Sequence, residues 1–306
     1  MLRWPYRWRK PEGVKKGIPK VRGLWYKFDC LVENIYIHCC PLPIMGVYTG
    51  EKRAENVTIS LTSFPGRINK AYYAIKSLML QSVKADKILL WLADEQFPNR
   101  EIPNKFSRLM NKGLTICWCE DLKSHKKYYY SLKHQKSDEL VVTYDDDIIY
   151  EYDSLEKLLE THKKHPDAIV CNRGHEMTTD DMGRLEPYNK WKIYSVYGAN
   201  KPVYRIMPST GNGCLYPYGI MPDITFNWEL IKNNALTADD IWMRFCSLAN
   251  GIKVIKTREM IATLCTVMGS QKERLTQLND VCGENQRVID KLLKVFPDMF
   301  NEKWED

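Results

Sequence analysis

From Asn56 onward, short apolar runs alternate with amphipathic stretches, and this alternation restricts the fold more than any other feature of the chain. Apolar runs between polar turns predict β-strands, whereas apolar residues three and four positions apart predict helices. After the first run, Ile68, Tyr72 and Ile75 have the helical spacing. Four strands are predicted in this part of the chain, at Val57 to Leu61, Lys87 to Leu92, Leu114 to Trp118 and Leu140 to Thr143.

Strands that alternate with helices at this spacing favour a mostly parallel central sheet flanked by helices. The predicted fold class is therefore α/β and Rossmann-like, with ligands bound at the carboxyl ends of the strands. Residues 172–235 show little periodicity. A helix is predicted from Asp153, another from about Thr237 to Asn250, then a strand from Ile252 to Ile255, while residues 270–306 have a polar helical pattern.

The net charge of +7 is located in the first 22 residues, which hold eight basic side chains and one acid, Glu12. Because the remainder is close to neutral, a uniformly basic nucleic-acid binder is excluded. The ten cysteines form no C-x-x-C pair and fit core thiols in a reducing compartment. We predict a cytoplasmic protein, since no stretch approaches the roughly 20 apolar residues of a membrane span and no signal peptide is recognisable.

Three consecutive aspartates, Asp145, Asp146 and Asp147, follow the fourth predicted strand directly. Like charges so close together repel each other, and a divalent cation bound by carboxylate oxygens removes that cost. Mg²⁺ or Mn²⁺ at this position could also neutralise a leaving diphosphate. The spacing alone leaves a second interpretation open, in which the acids form a solvated turn and cap the next helix.

The run from Val141 to Asp147 resembles the D-x-D element of glycosyltransferases with the A-type (GT-A) fold. The likeness extends over about residues 56–256 and implies a metal-dependent bacterial surface-polysaccharide glycosyltransferase, similar to family 2. It also implies Mn²⁺ or Mg²⁺ as cofactor, with Asp145 and Asp147 as ligands. Four further segments carry the resemblance, in the expected order: residues 59–68, 120–123, 210–213 and 238–242.

The same resemblance implies roles in donor binding. Asp145 and Asp146 would contact the nucleotide sugar, Asp121 would accept from the base, and Lys123 or Lys127 would face the phosphates. The loop after the first strand would hold the nucleotide, and a glycine-rich loop would let the sugars approach the backbone. From the residues alone, a plain turn explains either loop equally well. These loop residues are Thr62, Ser63, Phe64, Arg67, Gly211 and Gly213.

A second acidic pair, Asp239 and Asp240, stands near the start of a predicted helix. The resemblance implies that Asp240 is the catalytic base of an inverting transfer, which takes a proton from the acceptor hydroxyl. The family often has Glu before this Asp, whereas Asp239 stands there in this chain. The resemblance therefore leaves open which role each of the two acids has. Thr237 with an acid three residues later also fits a capping box, in which Asp240 only caps its helix.

Together these features predict a glycosyltransferase that moves a sugar from a UDP-sugar to a glycan or lipid-linked glycan during surface polysaccharide synthesis. A phosphatase of the haloacid dehalogenase type is an alternative, although its later acids should end a strand rather than open a helix. A nucleotidyltransferase would need a glycine-rich phosphate loop near the first strand. A non-catalytic glycan- or membrane-binding protein would not need both sets of acids.

The chain is predicted to contain a basic and aromatic extension, a catalytic domain with a nucleotide-sugar half and an acceptor half, and a helical tail. Residues 1–28 combine basic side chains with Trp and Tyr, which favours contact with anionic membrane headgroups. Their three prolines argue against one long helix, and packing on the domain itself is the alternative. The predicted parts span residues 1–55, 56–150 with 151–269, and 270–306.

Overall fold

The computed structural model describes residues 20–39, 41, 52–193, 195–258, 264–270, 283–297 and 299, with side chains from residue 27 onward. The most basic part of the predicted extension, before Lys20, lies outside the described residues, as does part of the predicted helical tail.

The five predicted strands are present, and the first four end one residue later than predicted. The described strands are β1 (Val57–Thr62), β2 (Lys87–Ala93), β3 (Leu114–Cys119), β4 (Leu140–Tyr144), β5 (Ile148–Ile149), β6 (Ile169–Cys171), β7 (Gly174–Glu176), β8 (Ile206–Pro208), β9 (Asn212–Tyr216), β10 (Val254–Lys256) and β11 (Cys265–Thr266). The helices are α1 (Lys20–Cys39), α2 (Ile68–Met79), α3 (Phe106–Met110), α4 (Lys126–Lys133), α5 (Ser154–Lys164), α6 (Trp228–Asn234), α7 (Asp239–Ala249) and α8 (Glu284–Val295).

Seven strands form the central sheet, in the order β10-β6-β9-β4-β1-β2-β3. β1 pairs in parallel with both β2 and β4, so that Val57 lies opposite Leu140. β9 enters between β4 and β6 and runs antiparallel to both. The predicted α/β class with a mostly parallel sheet flanked by helices is confirmed, and β9 is an addition that the sequence did not predict.

Two apolar clusters hold the helices against the sheet. In the first, Ile59 and Leu90 of the sheet pack with Ile75 of α2, and none of these side chains is exposed. In the second, Phe245 of α7 packs with Leu292 of α8. The described part of the C-terminal stretch, in α8, therefore shares an apolar core with α7.

The extension contains a helix that its prolines did not suggest. α1 begins at Lys20, directly after Pro19, because the remaining residues to Cys39 contain no proline and can keep every backbone hydrogen bond. The helix packs on the domain, where Asn34 is buried and the ring of His38 stacks on Tyr73 with centroids 3.7 Å apart. In the part of the chain that the structure describes, no helix is both long and apolar enough to cross a bilayer.

Candidate active site

Five aspartates meet at the carboxyl edge of the sheet, and we call Asp145, Asp146, Asp147, Asp239 and Asp240 the acid cluster. The first three follow β4, whose pairing with β9 is irregular between Thr143 and Tyr144. Because β9 is antiparallel, it starts at the edge where β4 ends, so the loop before β9 reaches the same place. Hydrogen bonds from Thr210 of this loop connect it to the aspartates at the start of α7.

Asp146 is the buried member of the triplet after β4. Its carboxylate accepts hydrogen bonds from Ser63 Oγ at 2.5 Å and from Arg67 Nη1 at 3.0 Å. The same Arg67 nitrogen lies 3.4 Å from Asp147 Oδ2. Burial raises the pKa of Asp146, although Arg67 and the Ser63 hydroxyl act in the opposite direction. The predicted nucleotide loop is thus attached to the triplet through its own arginine and serine.

Lys127 joins the two halves of the acid cluster. Its ammonium lies 2.9 Å from Asp145 Oδ1 and 2.9 Å from Asp239 Oδ2, and the side chain is buried. Burial alone would lower the pKa of Lys127, but the surrounding carboxylates of Asp145, Asp239 and Asp240 raise it well above its ordinary value. The lysine therefore stays charged and compensates one acid from each half.

The neighbouring acids of α7 have opposite ionisation behaviour. Burial acts to raise the pKa of Asp239, but Lys127 and His125 outweigh it, so that the pKa lies below its usual range. Burial and the adjacent Asp239 charge raise the pKa of Asp240 to about 7. A carboxyl with a pKa near neutrality can exchange a proton at working pH, whereas its neighbour remains a carboxylate.

Thr210 contacts both acids of α7. Its backbone N–H donates to Asp240 Oδ1 at 3.1 Å, and its hydroxyl lies 3.0 Å from Asp239 Oδ2 and also contacts Asp240 Oδ1. A hydroxyl has one proton to donate, so two ionised carboxylates cannot both be satisfied by it. Thr210 donates toward Asp240 with both its N–H and its hydroxyl, and this hydrogen bonding acts to lower the pKa that burial and Asp239 raise.

Asp240 contacts the loop before β9 and also stands in the first turn of α7, so its capping role stays a prediction. α7 starts after Ala238, and its N-cap makes no side-chain hydrogen bond. The hydrogen bonds of Asp240 go to Thr210, which lies in the loop before β9 and not in the helix. The helix itself confirms the prediction that Asp239 and Asp240 open a helix.

Gly211 lies against Asp145 so closely that a β-carbon would stand 1.8 Å from its carboxylate oxygen. The carbonyl of Gly211 accepts from Asp145 N–H at 2.9 Å and from the Tyr150 hydroxyl at 2.6 Å. The Tyr150 hydroxyl in turn accepts from Asp145 N–H at 2.7 Å. The loop and the first aspartate are therefore fixed together, and only glycine fits at position 211.

Three other predicted residues lie close by but face different neighbours. The Thr62 hydroxyl donates to the Trp91 carbonyl of β2 at 2.8 Å. Phe64 lies under the guanidinium of Arg67, 5.2 Å from its ring centroid. Gly213 has a φ of +90°, and a β-carbon there would meet Asn172 rather than an acid. Thr62 thus bonds to the neighbouring strand and Gly213 packs beside Asn172, while Phe64 packs against the arginine that binds the triplet.

Asp121 belongs to a different group of side chains. It accepts from Lys126 at 2.7 Å, from Lys123 at 2.5 Å and from Gln96 at 3.0 Å. Burial acts against these hydrogen bonds, but the two lysines lower the pKa of Asp121 to about 2. Lys123 is therefore held by Asp121, while Lys127 is the lysine that reaches the acid cluster.

A cavity of about 460 Å³ lies beside this group and contains none of the acid cluster. Four of its nine lining residues are aromatic, two are carboxylates and one is a lysine. The lining consists of Asp94, Trp118, Cys119, Glu120, Leu122, Tyr129, Tyr130, Lys133 and Trp228.

The acid cluster has the charge and the donor atoms for a divalent cation. Its five carboxylates are balanced by two cations, Arg67 and Lys127, so negative charge remains in excess. The side chains of Asp145 and Asp147 are 38% and 15% exposed, and they offer hard oxygen ligands. Among the described residues, however, no group of three or more His, Cys, Asp or Glu side chains converges on one point. The metal site at Asp145 and Asp147 therefore stays a prediction.

Sequence reasoning missed Tyr150 and underrated Lys127 and Thr210. Lys127 stands in a run of lysines and tyrosines that resembles a solvated helix, and only its burial identifies it.

No family model matches the chain, and no curated protein sequence matches it.

Proposed function

We propose that the chain is a metal-dependent, inverting glycosyltransferase of the GT-A fold. It would transfer a sugar from a nucleotide-sugar donor, a UDP-sugar in particular, to a hydroxyl of a glycan or lipid-linked glycan in surface polysaccharide synthesis. The described α/β sheet with acids at its carboxyl edge supports this proposal, and so does the resemblance of its motifs to that family.

The observation that carries the proposal is Asp240, a carboxyl with a pKa raised to about 7 that lies beside the ion pair of Asp239 and Lys127. Asp240 is in part open to solvent, whereas Asp239 is buried and paired with Lys127. An accessible group that binds and releases a proton near neutral pH is what a general base requires. The ionised carboxylates nearby supply the negative surface that a metal–diphosphate needs.

In the proposed reaction, ionised Asp240 takes the proton of an acceptor hydroxyl while the hydroxyl oxygen bonds to the anomeric carbon. The bond from that carbon to the diphosphate breaks, and the nucleoside diphosphate leaves on the opposite face, so the configuration inverts. Thr210 N–H holds the carboxylate in place for this step. Asp145 and Asp147 would hold the divalent cation, which when bound supplies charge neutralisation for the leaving diphosphate.

The alternative of a haloacid-dehalogenase phosphatase is disfavoured by one observation. Asp239 and Asp240 are the first two residues of α7, whereas that class needs its later acids at a strand end. The GT-A assignment agrees with acids at a helix start.

The deciding experiment is a panel of nucleotide sugars assayed with Mn²⁺ for transfer to glycan acceptors. We expect turnover with UDP-sugars, and a rise in the thermal unfolding midpoint when UDP and Mn²⁺ are added together. Stabilisation by glycan alone, without any turnover, would favour a non-catalytic binder. Release of phosphate from phosphomonoesters would favour the phosphatase.

A further inference from the structure

The cavity beside Asp121 takes no part in the chemistry proposed for the acid cluster, and we call it the aromatic cavity. Its volume of about 460 Å³ is within the roughly 300–1,000 Å³ of small-molecule sites. β3 contributes Trp118 to its lining, and α6 contributes Trp228. α4 contributes Tyr129 and Tyr130. A recess of this size with four aromatic side chains is a candidate ligand site.

The two tyrosines of the aromatic cavity are held by neighbouring residues. The Tyr129 hydroxyl donates to the Phe226 carbonyl at 2.8 Å. The ring of Tyr130 stacks on Trp91, with centroids 4.9 Å apart and an angle of 25° between the planes. These contacts orient both tyrosines without a ligand, so this part of the cavity is formed before anything binds.

Two further rings of the aromatic cavity have a cation over one face. The Lys133 ammonium lies 5.2 Å from the ring centroid of Tyr129. The Arg100 guanidinium lies 5.4 Å from the ring centroid of Trp118. At most one face of each ring is left for a ligand. A planar base gains most between two open faces, whereas a pyranose can pack its apolar C–H surface on a single ring face.

The polar groups of the aromatic cavity narrow the class of ligand. Among the described residues, none pairs with the carboxylate of Glu120, and none accepts from the indole N–H of Trp118 or Trp228. A carboxylate can only accept and an indole can only donate, whereas a hydroxyl does both. A phosphate group carries charge of the same sign as Glu120 and is repelled. A neutral ligand with several hydroxyls, such as an oligosaccharide, therefore suits this lining best.

The aromatic cavity shares a helix with the acid cluster. Lys127 of α4 pairs with Asp145 and Asp239. Tyr130 follows Lys127 by three residues, which is about 5 Å further along the helix axis. Lys133 lies one more turn along and lines the same cavity. A short oligosaccharide is long enough to span this distance, so one glycan chain can reach both places.

We propose that the aromatic cavity binds a neutral oligosaccharide and holds the distal sugars of the acceptor glycan, whose reactive hydroxyl lies at Asp240. The role as an acceptor subsite rests on the proposed function, whereas oligosaccharide binding in the cavity does not.

The test is binding of neutral trisaccharides to the full chain, measured by saturation-transfer NMR and by tryptophan fluorescence in the absence of metal and nucleotide. The probes are maltotriose, galactotriose and mannotriose, with uridine as a competitor. We expect at least one trisaccharide to bind and uridine not to displace it.

A double variant with Glu120→Ala and Lys133→Ala should weaken trisaccharide binding by about 10-fold or more, because hydrogen bonds to charged groups are the stronger ones. The matched control is Glu101→Ala with Lys136→Ala, which removes the same charges from exposed residues outside the cavity. The control should bind like the unmodified chain. Trp228→Ala should also weaken binding, and the thermal unfolding midpoint of each variant shows whether its fold is kept.

Three results would overturn the proposal. No trisaccharide could bind, the double variant could bind as well as its control, or uridine could displace the sugar, which would make the cavity a nucleobase site.

Transfer to the bound trisaccharide is measured in parallel. The double variant should raise the KM for this acceptor by about 10-fold with kcat little changed, because the cavity lies apart from the acid cluster. Binding without any transfer would refute the proposed function and leave the oligosaccharide site standing. Transfer with an unchanged KM would refute the acceptor subsite alone.

Discussion

The aspartates that follow β4 and the aspartates that open α7 differ in how their negative charge is compensated. After β4, Arg67 contacts Asp146 and Asp147, and Lys127 contacts Asp145. At α7, Lys127 pairs with Asp239, and Asp240 has a pKa raised to about 7. The acids after β4 are therefore paired with Arg67 and Lys127, whereas Asp240 is an acid whose pKa rises to about 7.

The largest effect is expected from removing a carboxylate after β4. Asp147→Ala should lower transfer by at least about 10³-fold, because a bound ion contributes several kcal/mol of charge stabilisation. The fold should survive, as shown by an unchanged thermal unfolding midpoint. Asp167→Ala is the control, since Asp167 is exposed. Full activity of the variant, or of the unmodified protein in excess chelator, would refute a metal role for this region.

The next effect concerns the proton-binding region. Asp240→Asn keeps an oxygen that accepts from Thr210 N–H but cannot take a proton, so transfer should fall by about 10²-fold or more. The rate of the unmodified enzyme should rise with pH through about 7, as Asp240 ionises. Rates are measured across pH for both proteins. An unchanged rate would leave Asp240 a structural role only, and a product that retains the donor configuration would separately exclude inversion.

A third change breaks the link between the regions. Lys127→Met leaves Asp145 and Asp239 without their shared cation, and removing one partner of a buried pair costs about 3–5 kcal/mol of unfolding free energy. Urea unfolding of both proteins measures this loss of unfolding free energy. The exposed Lys163→Met serves as control and should change stability by less than about 0.5 kcal/mol. A similar, small loss in both variants would mean that Lys127 is not needed to compensate the acids.

The smallest effect is a gain in stability. The folded protein binds a proton at Asp240 more tightly than the unfolded chain does. The stability that this proton adds to the folded state is fully present below the unfolded pKa of 3.8 and is lost as the pH rises to about 7. Asp240→Asn has no charge to bury and should be more stable than the unmodified protein at about pH 8, by on the order of 1 kcal/mol, but not at about pH 4. A pH-independent difference in unfolding midpoint would contradict the raised pKa.

The regular half of the fold could be predicted because local periodicity determines it. Apolar runs placed β1 to β4 and, with them, the triplet that follows β4. The position of β9 could not be predicted, since residues 172–235 lack periodicity and strand pairing between distant segments leaves no local pattern. The stop of α7 near Asn250 and Gly251 was correct, and Gly251 has a positive φ of 69°, as a helix-ending glycine requires.

Contacts within the site were harder to predict than its residue types. The resemblance assigned Ser63 and Arg67 to the nucleotide, whereas the structure shows that both contact Asp146. Sequence could not distinguish Lys127 from its neighbour Lys126, because only the helix rotation directs one to Asp239 and the other to Asp121. Tyr150 likewise gave no signal, since its role depends on the position of the Gly211 carbonyl.

The antiparallel strand β9 follows a long segment that lies outside the central sheet. The chain leaves the central sheet after β6 and re-enters it at β9, and between them β7 pairs with β8 in a separate two-stranded sheet. Its exposed turn from Asp180 to Arg184 can therefore gain or lose residues without shifting Thr210. Such a segment is free to diversify while the five aspartates keep their positions, so changes in this stretch of chain need not disturb the acid cluster.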